Sequence, residues 1–147
     1  MLPKDESVLT DSNLSGANRG VVVVLNRDLM FGIQIRNVLR AAGFEVTSTP
    51  STRQFVDHLR HPASPIALGI VNMVAEVDWT LIGGVMNDPA TTPVLAFGPH
   101  VHVPLWRSAK SAGVTRVVSN GDFHRDMLSL VERYARRAPV PHGTPDD

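Results

Sequence analysis

Strand-like and helix-like stretches alternate along the middle of this chain. That alternation predicts an α/β fold, a doubly wound parallel sheet with helices on both faces. Three observations carry the prediction. Val21-Val22-Val23-Val24-Leu25 is an unbroken aliphatic run, as expected of a strand buried on both faces. Phe31, Ile35, Val38, Leu39 and Ala42 then recur at helical spacing, with Arg36 and Arg40 facing out. Gly43 and Gly113 each follow such an apolar helical face and stand directly before the next strand, where a helix stop belongs.

The elements follow in order. Phe44 to Thr47 is a short second strand. Ser51 or Thr52 caps a second helix whose buried face is Phe55, Val56 and Leu59, and Pro62 and Pro65 end it. Ile66 to Val71 is the third strand, and Leu81, Ile82, Val85 and Met86 give the third helical face. Pro93 to Phe97 is the fourth strand. Pro104 suits the first turn of a fourth helix, which turns Leu105, Ala109 and Ala112 inward. Val114 to Val118 is the fifth strand. The last helix, capped by Asp122, presents Met127, Leu128, Val131, Tyr134 and Ala135. Right-handed crossovers between parallel strands give the flavodoxin-like architecture, with strand order 2-1-3-4-5.

The domain is expected to run from Val21 to Arg137. Met1 to Gly20, rich in Ser, Asn, Asp and Gly, reads as a flexible N-terminal tail; Ala138 to Asp147, with three prolines, reads as a flexible C-terminal one. The 147 residues fit one domain with tails, and 43% apolar residues suffice for one core. Lys plus Arg equals Asp plus Glu at 14 each, so no net field draws nucleic acid or an anionic membrane. The chain has no Cys, which excludes disulfides, thiolate metal sites and Cys nucleophiles and favours a cytoplasmic setting. No signal peptide is expected, and the Val21–Leu25 run is far too short to span a bilayer.

Ile33-Gln34-Ile35-Arg36-Asn37-Val38-Leu39-Arg40-Ala41-Ala42-Gly43-Phe44 resembles the first helix and turn of a response-regulator receiver (CheY-like) domain. Pro93 to Phe97 resembles its fourth strand, and Ala109 to Gly113 leading into Val117-Val118 its fourth helix and fifth strand. The resemblance covers about 115 residues in spacing and pattern. It implies a two-component signalling fold. It also implies where phosphorylation chemistry would sit, and each such position holds a different residue type.

By that resemblance the metal-binding acidic pair falls on Asn26 and Arg27, with Asp28 nearby. The phospho-accepting Asp falls on Asn72, and the switch Ser or Thr on Gly98. The Lys falls within Ser119, Asn120, Gly121 and Asp122, with Asn120 as its assigned place. The aromatic that rotates on activation falls on Val117. Aspartyl phosphorylation needs a carboxylate nucleophile, which an amide cannot replace. Mg²⁺ needs hard, charged oxygens. Arg27 is expected to put a fixed positive charge where that cation would lie. The degenerate set implies a pseudo-receiver without a cofactor and without enzymatic activity.

Other candidate residues have plainer readings beside the functional ones. His100 and His102 could share one side of an extended segment as weak metal ligands, with Asp28 and Asp78 on the same rim; the plainer reading makes them polar loop residues. Gly98, Arg27 and the 119–122 loop could bind a small anion, which gives an alternative function as a ligand sensor at the carboxyl ends of the strands. The plainer reading assigns Gly98 and Gly121 to turn geometry. Trp79 and Trp106 more often shield a core edge than form a patch.

The expected function is phosphorylation-independent signalling through protein contact. By resemblance the face of the fourth helix, fifth strand and fifth helix is the place to look, through Trp106, Lys110, Arg116, Arg133 and Arg137. A kinase, a regulator or a second copy of the chain could be the partner. Neither nucleic acid nor a membrane is expected as one.

Overall fold

The computed structural model describes residues 19–88 and 90–136. Their elements are β1 (Val21–Leu25), α1 (Leu29–Ala41), β2 (Glu45–Thr49), α2 (Thr52–Arg60) and β3 (Ile66–Asn72). Then come α3 (Trp79–Met86), β4 (Val94–Gly98), α4 (Val103–Ser111), β5 (Arg116–Ser119) and α5 (Asn120–Tyr134). All strands are parallel, in the order β2-β1-β3-β4-β5. This is the flavodoxin-like order expected from the sequence.

β1 and β3 occupy the middle of the sheet because they can be apolar on both faces. Val23 and Leu25 enter the core layer shared with α2, α3 and α4, while Val22 and Val24 enter the layer under α1 and α5. The period of two assigns alternate residues to the two layers. All seven residues of β3 are buried. Gly69 within it lets α2 approach, since a Cβ there would lie 2.8 Å from the Phe55 ring. The second layer holds an aromatic stack, with Phe97 parallel to Phe123 at 4.1 Å and Phe31 tilted against Phe97 at 5.3 Å.

Helix ends follow local chemistry. Asp28, Ser51 and Asp78 accept hydrogen bonds from first-turn amides of α1, α2 and α3. Gly43 and Gly113 take positive φ angles of +99° and +89°, the left-handed stop that glycine adopts freely. α5 departs from the expected cap. Ser119, not Asp122, holds that position, its hydroxyl accepting from the Asp122 amide at 3.0 Å. β5 runs through Ser119, so the helix begins one residue later and Asp122 falls inside its first turn. β5 also starts at Arg116 rather than Val114, whose amide bonds back to Ala109 O of α4.

The packed domain begins before the expected boundary at Val21. The Arg19 amide donates to Gly43 O at 2.9 Å, and its guanidinium lies over the Phe44 ring and pairs with Glu132 at 3.0 Å. Gly20, at φ +102°, passes so close to β3 that a Cβ would meet Ala67 at 3.3 Å. At the other end the Arg136 amide donates to Ala67 O at 2.7 Å. Residues 1–18 and 137–147, which include most of both expected tails and Arg137, lie outside the described residues.

Candidate functional site

The strand register assembles the site at the carboxyl edge of the sheet. Leu25 pairs with Val71, and Asn72 with Phe97, so Asn26, Asn72 and Gly98 stand at three adjacent strand ends. Gly98 is opposite Ser119 on β5. Ser119 therefore occupies the end of the fifth strand, while Asn120 already belongs to α5. Both lie within the 119–122 stretch in which the resemblance places the Lys.

Asn72 is only 2% exposed, so its amide needs partners inside the protein. Its Nδ2 donates to Asn26 Oδ1 at 2.8 Å, and its Oδ1 accepts from the Val74 amide at 3.2 Å. Asn26 also donates through Nδ2 to Asp28 O at 2.7 Å and accepts from the Asp28 amide at 3.2 Å. The two amides thus form a neutral, internally matched pair where the resemblance implies a phospho-acceptor and a metal ligand. The Asp28 carboxylate caps α1 through the Phe31 amide at 3.0 Å.

Gly98 and Met73 fit each other. Met73 is 1% exposed, and its amide donates to Phe97 O at 2.8 Å. A Cβ at Gly98 would lie 2.7 Å from Met73 Cε and 3.1 Å from its Cβ. The methionine therefore occupies the space into which a switch side chain at this position would project.

Arg27 does not stand as a free cation beside Asn72. Its guanidinium hydrogen-bonds the carboxylate of Glu76, and both side chains are largely exposed. Glu76 holds a left-handed φ of 60°, uncommon for a residue with a Cβ. The pair gives Arg27 a carboxylate partner at the surface of this edge. On α5, Arg125 is held above its usual range, first by its hydrogen bond to Asp122 and then by the charge of Asp126.

His100 and His102 are exposed, and His102 makes no side-chain cap bond at the start of α4. Among the described residues no group of three or more His, Cys, Asp or Glu could hold a metal ion. Asp28 and Asp78, the carboxylates proposed to join the histidines, are spent on helix caps. Trp106 is half-buried against the core, and its indole N–H donates to Pro99 O at 2.9 Å. Packing and a satisfied hydrogen bond tie it to the fold, in line with the core-edge reading of this residue. Lys110, Arg116 and Arg133 remain exposed on the α4–β5–α5 face.

The rim around the site is apolar instead. Leu29 and Met30 open α1 at 76% and 74% exposure, Val74 follows β3 at 55%, and Val101 and Val103 lead into α4 at 75% and 52%. A groove of about 570 Å³ beside them is lined by Met30, Phe31, Ile33, Val38 and His124. Sequence periodicity gave no signal for this rim, because it is assembled from three short pieces: the start of α1, the turn after β3 and the lead into α4. Met73 and Glu76 were likewise not singled out.

No family model and no curated protein matches the sequence. Solved structures do. A candidate response regulator from Chloroflexus aurantiacus J-10-fl superposes with a TM-score of 0.67 at 18% identity, over 80% of this chain and 97% of that one. The chemotaxis response regulator CheY4 of Vibrio cholerae gives 0.65 at 16%, over 80% and 98%. Full-length FixJ from B. japonicum gives 0.65 at 19%, over 80% of this chain and 58% of that longer one. The chain has a receiver fold. Likeness at these identities speaks for architecture, and the side chains at the strand ends carry the rest.

Two substitutions test this geometry. Gly98→Ala is expected to destabilise the receiver fold by about 1–3 kcal/mol through overpacking against Met73. Adding Met73→Ala should relieve that clash, giving a favourable coupling term when urea denaturation of both single variants and the double variant is compared.

Asn72→Asp would set a buried carboxylate against Asn26 with Arg27 already paired to Glu76. Burial raises the folded pKa of the introduced group above its unfolded value of about 3.9. Stability should then match wild type at low pH and fall as pH rises through the folded pKa. The deficit at neutral pH should be about 1–3 kcal/mol. A flat difference in chemical denaturation between acid and neutral pH would contradict this.

Proposed function

We propose that this chain is a pseudo-receiver, a signalling module whose conformation is not set by aspartyl phosphorylation and which works by protein contact. The observation that carries the reading is the closed strand-end site. Asn72 and Asn26 satisfy each other, Met73 fills the space over Gly98, and Arg27 is paired with Glu76. No carboxylate nucleophile stands at the end of β3, so the phosphoryl acceptor is missing along with the space for a switch. The same observation counts against a ligand or anion sensor at this edge.

The contact surface is assigned to the carboxyl rim, ahead of the α4–β5–α5 face. Its exposed Leu29, Met30, Val74, Val101 and Val103 lose apolar area to water only if another protein covers them. The partner is a protein that offers apolar side chains of its own. Lys110, Arg116 and Arg133 are a polar surface whose charges are worth less at an exposed rim.

Incubation with Mg²⁺ and acetyl phosphate or beryllofluoride should leave intact mass and amide NMR shifts unchanged. A stable adduct, or shifts gathered around Asn72, would overturn phosphorylation independence.

Met30→Glu and Val101→Glu should keep the circular dichroism spectrum and melting temperature, since both side chains are exposed. They should weaken partner capture or self-association at least tenfold, measured by affinity capture from the native host and by sedimentation. Normal association in both, with loss in Arg133→Glu, would move the contact to the α4–β5–α5 face.

A further inference from the structure

We propose that the amino edge of the sheet holds a binding pocket for a small organic oxyanion, a carboxylate or phosphate ester with a compact apolar body. A cavity of about 420 Å³ opens there, on the side of the sheet away from Asn72. That volume lies within the range of small-molecule sites. Six separate segments build it: Gly20 before β1, the end of α2, the start of β3, the end of α3, Thr91 and Thr92 before β4, and Arg136 after α5.

Its apolar wall is Leu59, Ile66, Ala67 and Val85, together with Pro62 and Pro65. Two arginines aim at polar recognition. The Arg60 guanidinium lies over Gly84, 3.5 Å from where a Cβ would stand, and it forms no hydrogen bond or ion pair with any described residue. Arg136 is held by its backbone bond to Ala67 O, and one guanidinium nitrogen donates to Ala90 O at 2.9 Å. Its guanidinium has further N–H groups beyond that one. Thr92, also lining the cavity, is 5% exposed, and its hydroxyl has no hydrogen-bond partner among the described residues.

The charges around the cavity favour an anion. Arg19 also lines it but is paired with Glu132 outside the lining. Asp88 is the one acid of the lining, and its Oδ1 accepts from the Ala90 amide at 2.9 Å. The ends of α2 and α3 turn partly negative carbonyl groups toward this edge. Two arginines at one cavity exceed what Asp88 balances, and paired guanidiniums suit planar or trigonal oxyanions. The mixed lining selects a ligand with both an anionic head and an apolar body over inorganic phosphate.

The test uses the full-length chain with phenyl phosphate, benzoate and the uncharged benzyl alcohol as probes. Phenyl phosphate or benzoate should raise the melting temperature saturably. Either should also shift the amide resonances of Gly20, Ala67, Gly84, Thr91 and Thr92. Benzyl alcohol should do neither. Response to one anion but not the other separates a phosphate-ester site from a carboxylate site.

Arg60→Gln removes no hydrogen bond or ion pair to a described residue and should fold normally while weakening binding at least tenfold. Arg136→Lys should do the same with partial retention. The proposal falls if neither anion gives a saturable shift up to millimolar concentration. It also falls if the shifts gather at the carboxyl rim, or if Arg60→Gln binds as wild type. None of these outcomes bears on the phosphorylation-independent reading, which is tested at the opposite edge.

Discussion

A strand buried along its whole length constrains everything around it. β3 has neighbours on both sides and core on both faces, so whatever side chain ends it is removed from water. An acid in that place needs a cation to be tolerated; an amide needs only a matching amide. Asn72 and Asn26 supply that match at 2.8 Å, and both come from strand ends whose register is fixed by the sheet ladder. A neutral pair avoids the desolvation cost of a buried charge at this point.

The neighbouring strand shows the same economy. Gly98 and Met73 interlock, and behind them Phe97 stacks on Phe123 and touches Phe31, which in turn lies 4.5 Å from His124. A receiver that switches needs a side chain at this strand end free to change place. Here the space above the strand is filled by methionine and the space below by stacked rings. Close-packed interiors resist partial rearrangement, so these contacts favour one conformation of the edge. The surface of that edge carries exposed aliphatic groups, Leu29, Met30, Val74, Val101 and Val103.

Much of the fold was legible because its signals are local. The Val21–Leu25 run, the helical apolar faces and the two left-handed glycines each report on a few consecutive residues. The miss at the last helix was local too. Ser119 and Asp122 are both good caps, and only the true length of β5 decides between them. Phe123 escaped notice although Phe123, Met127 and Val131 recur at intervals of four, because an expected cap at Asp122 masked the first turn. Absence of acids at the site was equally legible. How the remaining residues satisfy one another was not. The Arg27–Glu76 pair joins residues far apart in sequence through a left-handed loop residue, and the Met73–Gly98 fit depends on side-chain direction. The amino-edge cavity draws on six segments, none with a motif of its own.

Helix direction explains why the two edges differ. In a parallel doubly wound fold the helix N-termini gather at the carboxyl edge, where their free amides favour anions. In this chain α1 and α3 receive that negative charge from within, through the carboxylates of Asp28 and Asp78. Asp28 takes up the Phe31 amide, and Asp78 takes up the Thr80 and Leu81 amides. At the amino edge the helix C-termini repel anions, so any anion there must be held by side chains with charge to spare. Near this edge Arg60 has no hydrogen-bond or ion-pair partner among the described residues, and Arg136 is anchored to backbone through both its main chain and its side chain. The two edges thus differ in what could hold an anion: helix amides at the carboxyl edge, side chains at the amino edge.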